Sequence, residues 1–139
     1  MKKIILSAVF IASIIMASCS SDDDALPTDP PVVGEEITIS GSINEDQTWS
    51  KENVYILDGK VVVDGGATLT IEAGTVIKGA EGAQTQASAL IVDRDATLNA
   101  NGTAEEPIIF TTVLDEIVSG ETVSPNLSVN DRGLWGGVI

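Results

Sequence analysis

From Glu35 onward, short runs of apolar residues alternate with turns rich in Gly, Asp and Asn, and no stretch keeps an apolar period of 3.6 residues. The runs are dominated by Val, Ile, Leu and Thr, which is typical of β-strands. This pattern predicts an all-β fold without helices of ordinary length. The predicted strands are Ile37–Ile43, Val54–Leu57, Val61–Val63, Thr68–Ile71, Val76–Lys78, Leu90–Val92, Thr97–Ala100, Ile108–Thr112 and Trp135–Ile139.

One strand–turn–strand phrase occurs twice. Val61–Leu69 (VVVDGGATL) aligns with Leu90–Leu98 (LIVDRDATL), 29 positions later, and Gly74-Thr75 aligns with Gly102-Thr103. Three short strands in a unit of about 20 to 30 residues are the pattern of a parallel β-solenoid, in which stacked coils share one apolar interior. We therefore expect Val, Ile and Leu to point inward and Thr and charged residues to point outward.

Two polar segments interrupt the repeat: Ala80–Ser88, called here the first insertion, and Leu114–Arg132, called the second insertion. Insertions in solenoids form loops on one side, which often bind a partner. The alternative is ordinary loop filler, since these segments contain no aromatic residue. Trp135–Ile139 resembles the opening strand of another coil, so we expect residues 36–139 to be the N-terminal part of a longer solenoid or a truncated gene product.

The N-terminus has the features of a bacterial export signal. Lys2 and Lys3 precede the apolar run Ile4–Ala17, which is too short to span a bilayer comfortably, so residues 1–18 are predicted to be a signal peptide. Met16-Ala17-Ser18-Cys19 resembles the lipobox of bacterial lipoproteins, which implies lipidation of Cys19 and a bilayer as partner. Ordinary secretory cleavage is the alternative, but Cys19 is the single cysteine of the chain.

The segment after Cys19 begins with Ser20, Ser21, Asp22, Asp23 and Asp24. It resembles the signal that sends lipoproteins of some Gram-negative bacteria to the cell surface; the alternative is a solvated spacer. The resemblance implies a lipid anchor in the outer membrane, with the protein exposed on the cell surface. Three Pro follow within residues 25–34, so residues 19–35 are predicted to be an extended tether.

Charge and composition exclude several functions. The chain has 21 acidic and seven basic residues, a net charge of −14, and loss of Lys2 and Lys3 would leave five basic residues and a charge of −16. A nucleic-acid partner held by phosphate contacts is therefore excluded. Because the chain has no His, a Ser-His-Asp triad and a His-ligated zinc site are excluded as well.

Three phrases occur in order: VVVDGGATLTIEAGTVIKG, ALIVDRDATLNANGTAEEPIIFT and RGLWGGVI. Together they resemble a family of bacterial surface lipoproteins with a right-handed parallel β-helix. Ala73 stands where that family usually has Pro, and Asp95 stands where it has a turn Gly. The resemblance implies architecture and location, and it implies no particular activity.

Candidate chemistry is sparse. Asp93-Arg94-Asp95 is similar to the carboxylates and arginine of β-helix polysaccharide lyases, but the repeat places it at the turn that Asp64-Gly65-Gly66 also occupies. Trp49, Tyr55 and Trp135 could stack on sugars, although packing is their more common role. We therefore expect no catalytic, cofactor or metal site in this chain.

Three classes of function remain open. The first is a non-enzymatic surface lipoprotein whose rigid scaffold contacts a glycan or a surface protein through its inserted loops. The second is a glycan-degrading β-helix lyase or hydrolase. The third is a purely structural component of the envelope.

Overall fold

The computed structural model describes residues 34–82 and 84–139. Within these described residues, nine strands and one short 3₁₀ turn, Gln84–Gln86, follow one another along the chain. The strands are β1 (Glu36–Ile43), β2 (Gln47–Trp49), β3 (Val54–Val63), β4 (Thr68–Ile71), β5 (Val76–Gly79), β6 (Ala89–Val92), β7 (Thr97–Ala100), β8 (Ile109–Thr112) and β9 (Gly137–Val138).

Every strand pairing in this part of the chain is parallel. Since parallel neighbours need a crossover between them, the chain winds through successive coils. Corresponding positions on one face are Glu36, Val54, Val76 and Ile109, which begin coils 1 to 4. The predicted all-β parallel solenoid is confirmed.

Three faces surround the interior. The first face consists of the N-terminal halves of β1 and β3 together with β5 and β8. The second face consists of the C-terminal halves of β1 and β3 together with β6 and β9. The third face is the sheet β2-β4-β7. The strand β3 joins two runs that the sequence predicted as separate strands: Gly59 at φ 74° bends the backbone, and the pairing with β1 resumes at Val61 after a register shift.

The repeat in the sequence corresponds to the coil register. Val61 pairs with Leu90 on the second face, and Leu69 pairs with Leu98 on the third. Leu57, Val61, Leu69, Ile77 and Leu90 are fully buried in one cluster that fills the solenoid. Inward and outward positions therefore alternate along each strand, as the two-residue period of a β-strand requires.

Both insertions leave the coil at the same corner. The first insertion connects β5 of the first face to β6 of the second, and the second insertion lies in the corresponding connection from β8 to β9. The predicted opening strand at Trp135–Ile139 is shorter in the structure, Gly137–Val138. Trp135 instead packs against Gly79 of the preceding coil, where a Cβ added to the glycine would lie 2.7 Å from the indole ring.

Candidate functional site

The predicted lipidation and export residues, Cys19 and Ser20–Asp24, lie outside the described residues. No helix within residues 34–82 and 84–139 is both long enough and apolar enough to cross a membrane. The anchor and its signal therefore stay predictions.

The Asp93-Arg94-Asp95 segment is an exposed tight turn between β6 and β7. The carboxylate of Asp93 accepts a hydrogen bond from the N–H of Arg94, 2.8 Å away, and the N–H of Ala96 donates to the carbonyl of Asp93. These bonds close the turn, and they involve neighbouring residues along the chain. The segment has the geometry of a solvated turn, in agreement with its place in the repeat.

The aromatic residues pack in or against the interior. Trp49 and Tyr55 are buried and stack with ring centroids 4.7 Å apart and planes 11° apart, while the Tyr55 hydroxyl accepts the N–H of Ser50 at 2.8 Å. Trp135 and Phe110 are half-buried against the same cluster. These rings therefore stabilise the solenoid, as the sequence favoured, and do not form an exposed platform for a sugar.

The second insertion folds over the outward side of the first face. Its Ile117 side chain is buried against Val54, Val76 and Ile109, which occupy corresponding outward positions of coils 2, 3 and 4. The expectation that apolar strand residues point only inward is wrong at these positions. These residues form a second, smaller core, because the insertion removes them from water. The part of the insertion that packs here, residues 114–119, is called the cover below.

A hydrogen bond from a buried lysine to the main chain of a buried aspartate fastens this cover. Lys78 Nζ donates a hydrogen bond to the main-chain oxygen of Asp115, 2.7 Å away, and both residues are buried. Lys78 points outward from β5, and the sequence predicted the burial of neither Lys78 nor Asp115. Its ammonium group replaces water contacts with a carbonyl supplied by the insertion.

The Asp115 carboxylate accepts three hydrogen bonds. They come from the hydroxyls of Thr111 at 2.7 Å and Ser124 at 2.8 Å, and from the N–H of Ile117 at 3.1 Å. Burial by itself raises the pKa of the Asp115 carboxyl, but these bonds and the Lys78 charge outweigh it and hold the pKa below its ordinary value. The carboxylate is thus ionised at neutral pH.

A cleft of about 520 Å³ lies beside this cover, where the third face turns into the first. An ion pair between Lys51 and Glu106, 2.5 Å apart, joins the turns of coils 1 and 3, and the hydrogen bond and charge of Glu106 raise the pKa of Lys51. Ser119 of the second insertion donates to the carbonyl of Lys51 at 2.7 Å. The cleft is lined by Gly34, Glu35, Lys51, Glu52, Asn53, Gly74, Glu106, Ser119 and Gly120.

The part of the chain that the structure describes contains no cluster of three or more His, Cys, Asp or Glu side chains placed to hold a metal. In the cleft, the Glu106 carboxylate is occupied by Lys51, and both side chains are half-exposed. The ion pair in the cleft therefore joins the two coil turns. Because exposed ion pairs contribute little to the free energy of unfolding, the effect of this pair on stability is small.

The architecture and the sequence together identify the family. A family model described as "Pectate-lyase like beta helix domain" matches residues 41–139. The chain belongs to this family. No curated protein and no solved structure matches the chain.

The family match spans residues 41–139 and therefore includes the second insertion as well as the coils. The sequence predicted the insertion as a loop with a binding role or none, and it did not predict the cover over Val54, Val76 and Ile109. One signal was available: Ile117 is an aliphatic residue within a largely polar segment, and such a residue often packs onto a neighbouring surface.

Proposed function

We propose that the protein is a lipoprotein anchored through Cys19 to the outer membrane and exposed on the cell surface. In this proposal the β-helix is a non-enzymatic scaffold, and the second insertion makes adhesive contact with a glycan or a protein on an opposing surface. The observation that supports this proposal most directly is the arrangement of the second insertion: one part of it is fixed to the first face, and another part is exposed to solvent.

The exposed part is the tip, defined here as residues 120–131. Val123 and Val129 are 76% and 84% exposed, although both are aliphatic. Between them, Ser124 and Asn126 are hydrogen-bonded to the fixed part of the insertion. An ordered loop that displays apolar side chains can bind a partner at a small entropic cost.

The family description supports a glycan as the partner to test first, since it names a lyase of a polysaccharide. Against an enzyme, the candidate triplet Asp93-Arg94-Asp95 forms a turn closed by its own hydrogen bonds, and the outward side of the first face is covered by Ile117. Release of new reducing or unsaturated ends from acidic polysaccharides by the purified full-length protein would contradict a non-enzymatic role.

Contact through the tip is tested by Val123→Asp combined with Val129→Asp in the full-length protein. We expect binding to a panel of neutral and acidic glycans to fall at least tenfold, because the two exposed aliphatic side chains would leave the contact and two charges would enter it. The melting temperature should stay the same, since both positions are exposed. Equal glycan binding by the wild type and the double variant would overturn the proposal. It would also be overturned if neither protein bound a glycan and cells lacking the protein adhered as well as wild-type cells.

Cys19→Ser should move the protein from the membrane fraction to the soluble fraction. The acyl chains that hold a lipoprotein in the bilayer attach at this cysteine, and each buried methylene contributes about 0.8 kcal/mol. Fractionation of cells with detergent-phase partitioning measures the change, with Ser18→Ala as a variant that keeps a small residue before the cysteine. Membrane retention of the Cys19→Ser protein would contradict lipid anchoring.

Replacement of Asp22, Asp23 and Asp24 by Ala should leave the protein in the membrane but reduce its exposure on the cell surface. Digestion of intact cells by an external protease measures the exposed fraction. A matched variant replaces three exposed acidic residues of the coils, Glu45, Glu52 and Asp58, by Ala and should be digested like the wild type. If all variants are digested equally, the acidic run is a spacer.

A further inference from the structure

The tip of the second insertion is held in place mainly by polar contacts. Val123 and Val129 are exposed, and the buried apolar side chain of the insertion, Ile117, lies before the tip. Leu127 is the one half-buried aliphatic residue of the tip, so the conformation of the tip depends largely on hydrogen bonds to the rest of the molecule.

These hydrogen bonds converge on Asp115. Its carboxylate accepts the hydroxyl of Ser124, which belongs to the tip, and the hydroxyl of Thr111, which belongs to β8. Its main-chain oxygen accepts Lys78 Nζ from β5. One residue therefore connects the tip to two coils of the first face.

The connection continues from Ser124 into the tip. The Ser124 hydroxyl oxygen accepts the N–H of Leu127 at 2.9 Å. Asn126 donates from its amide to the carbonyl of Leu114 at 2.8 Å and accepts the N–H of Glu116 at 3.0 Å. Because the Ser124 hydroxyl donates to the Asp115 carboxylate, it is oriented to accept from Leu127, so the two bonds support each other.

We infer that Asp115 is the positioning residue of the contact tip: its carboxylate, held between Thr111 and Ser124, fixes the tip on the first face in the conformation that binds. This inference rests on the proposed function for the statement that the tip makes contact. The positional role itself follows from the hydrogen bonds and can be measured without any partner.

The test is Asp115→Asn in the full-length protein, followed by hydrogen exchange of the amides in the second insertion. Asn keeps the size of the side chain but removes its charge and one acceptor oxygen, so Thr111 and Ser124 can no longer each donate to an oxygen of their own. We expect exchange at Leu127 and Glu116 to accelerate about tenfold or more, while amides of β3 and β4 keep their protection. Ser124→Ala, which leaves Asp115 and Lys78 intact, should accelerate Leu127 to a similar degree.

Asp131→Asn is the matched control. Asp131 lies in the same insertion, and its carboxylate accepts the N–H and the hydroxyl of Ser128, each at 2.8 Å, at the far side of the tip. Its loss should leave the exchange of Glu116 unchanged. Unchanged exchange at Leu127 in both Asp115→Asn and Ser124→Ala would overturn the inference.

Glycan binding by the same variants separates this inference from the proposed function. If both hold, Asp115→Asn loses binding as far as the double Val123→Asp, Val129→Asp variant does. If wild-type protein binds nothing and exchange in the tip still accelerates, the proposed contact is wrong and the positioning role of Asp115 stands.

Discussion

Leu69→Asp is expected to unfold the protein, whereas Thr70→Asp at the next position of β4 should leave it folded. Leu69 is fully buried in the interior between Gln47 and Leu98 of the neighbouring coils, while Thr70 points outward from the same strand. Removal of the Leu69 contacts costs about 2–5 kcal/mol. An unpaired carboxylate in the same place adds several kcal/mol more, and the sum is comparable to the roughly 5–15 kcal/mol that stabilises a domain.

Urea unfolding monitored by circular dichroism distinguishes the two variants. The Thr70→Asp protein should differ from the wild type by no more than about 1 kcal/mol, which reflects the lower strand propensity of Asp. Both variants carry the same added charge, so the difference between them isolates burial. Equal unfolding midpoints would show that the alternation of inward and outward residues has been assigned wrongly on the third face.

The coil register was predictable because it depends on local features. The strand–turn–strand phrase that contains Asp64 occurs again 29 positions later, with the same two-residue period in its strands. The pairing of Leu69 with Leu98 could therefore be predicted from the sequence alone. The strand β2 was missed because Gln47–Trp49 has only three residues, too few to show a two-residue period, and its pairing with β4 is what holds it.

The cover over the first face could not be predicted in the same way. Alternation shows that Val54 and Val76 lie on the side opposite to Leu57 and Ile77, but it does not show which side faces water. The answer depends on Ile117, which lies far along the chain in a segment without a repeating pattern. The partner of Lys78 is likewise a main-chain oxygen, which no sequence motif marks.

The packing of Ile117 against the first face also determines the expected effect of a second substitution. Ile117→Asp is expected to release the second insertion from the first face without unfolding the coils. Ile117 is 1% exposed, and a carboxylate there would lie against Val54, Val76 and Ile109 and close to the ionised Asp115. Loss of the apolar contacts and burial of the charge together cost about 3–5 kcal/mol.

Because the inward residues Leu57 and Ile77 are unchanged, the lost stability should be confined to the second insertion. Opening of the insertion, and not global unfolding, should then determine the rate of proteolysis. A free-energy change of this size corresponds to at least a hundredfold increase in the rate at which a broad-specificity protease cuts between Leu114 and Arg132. Val123→Asp is the matched control, since it introduces the same charge into the same insertion at a side chain that is 76% exposed. If the two variants are cut at the same rate, Ile117 does not hold the insertion, and the outward aliphatic residues of coils 2 to 4 must be kept from water by some other contact.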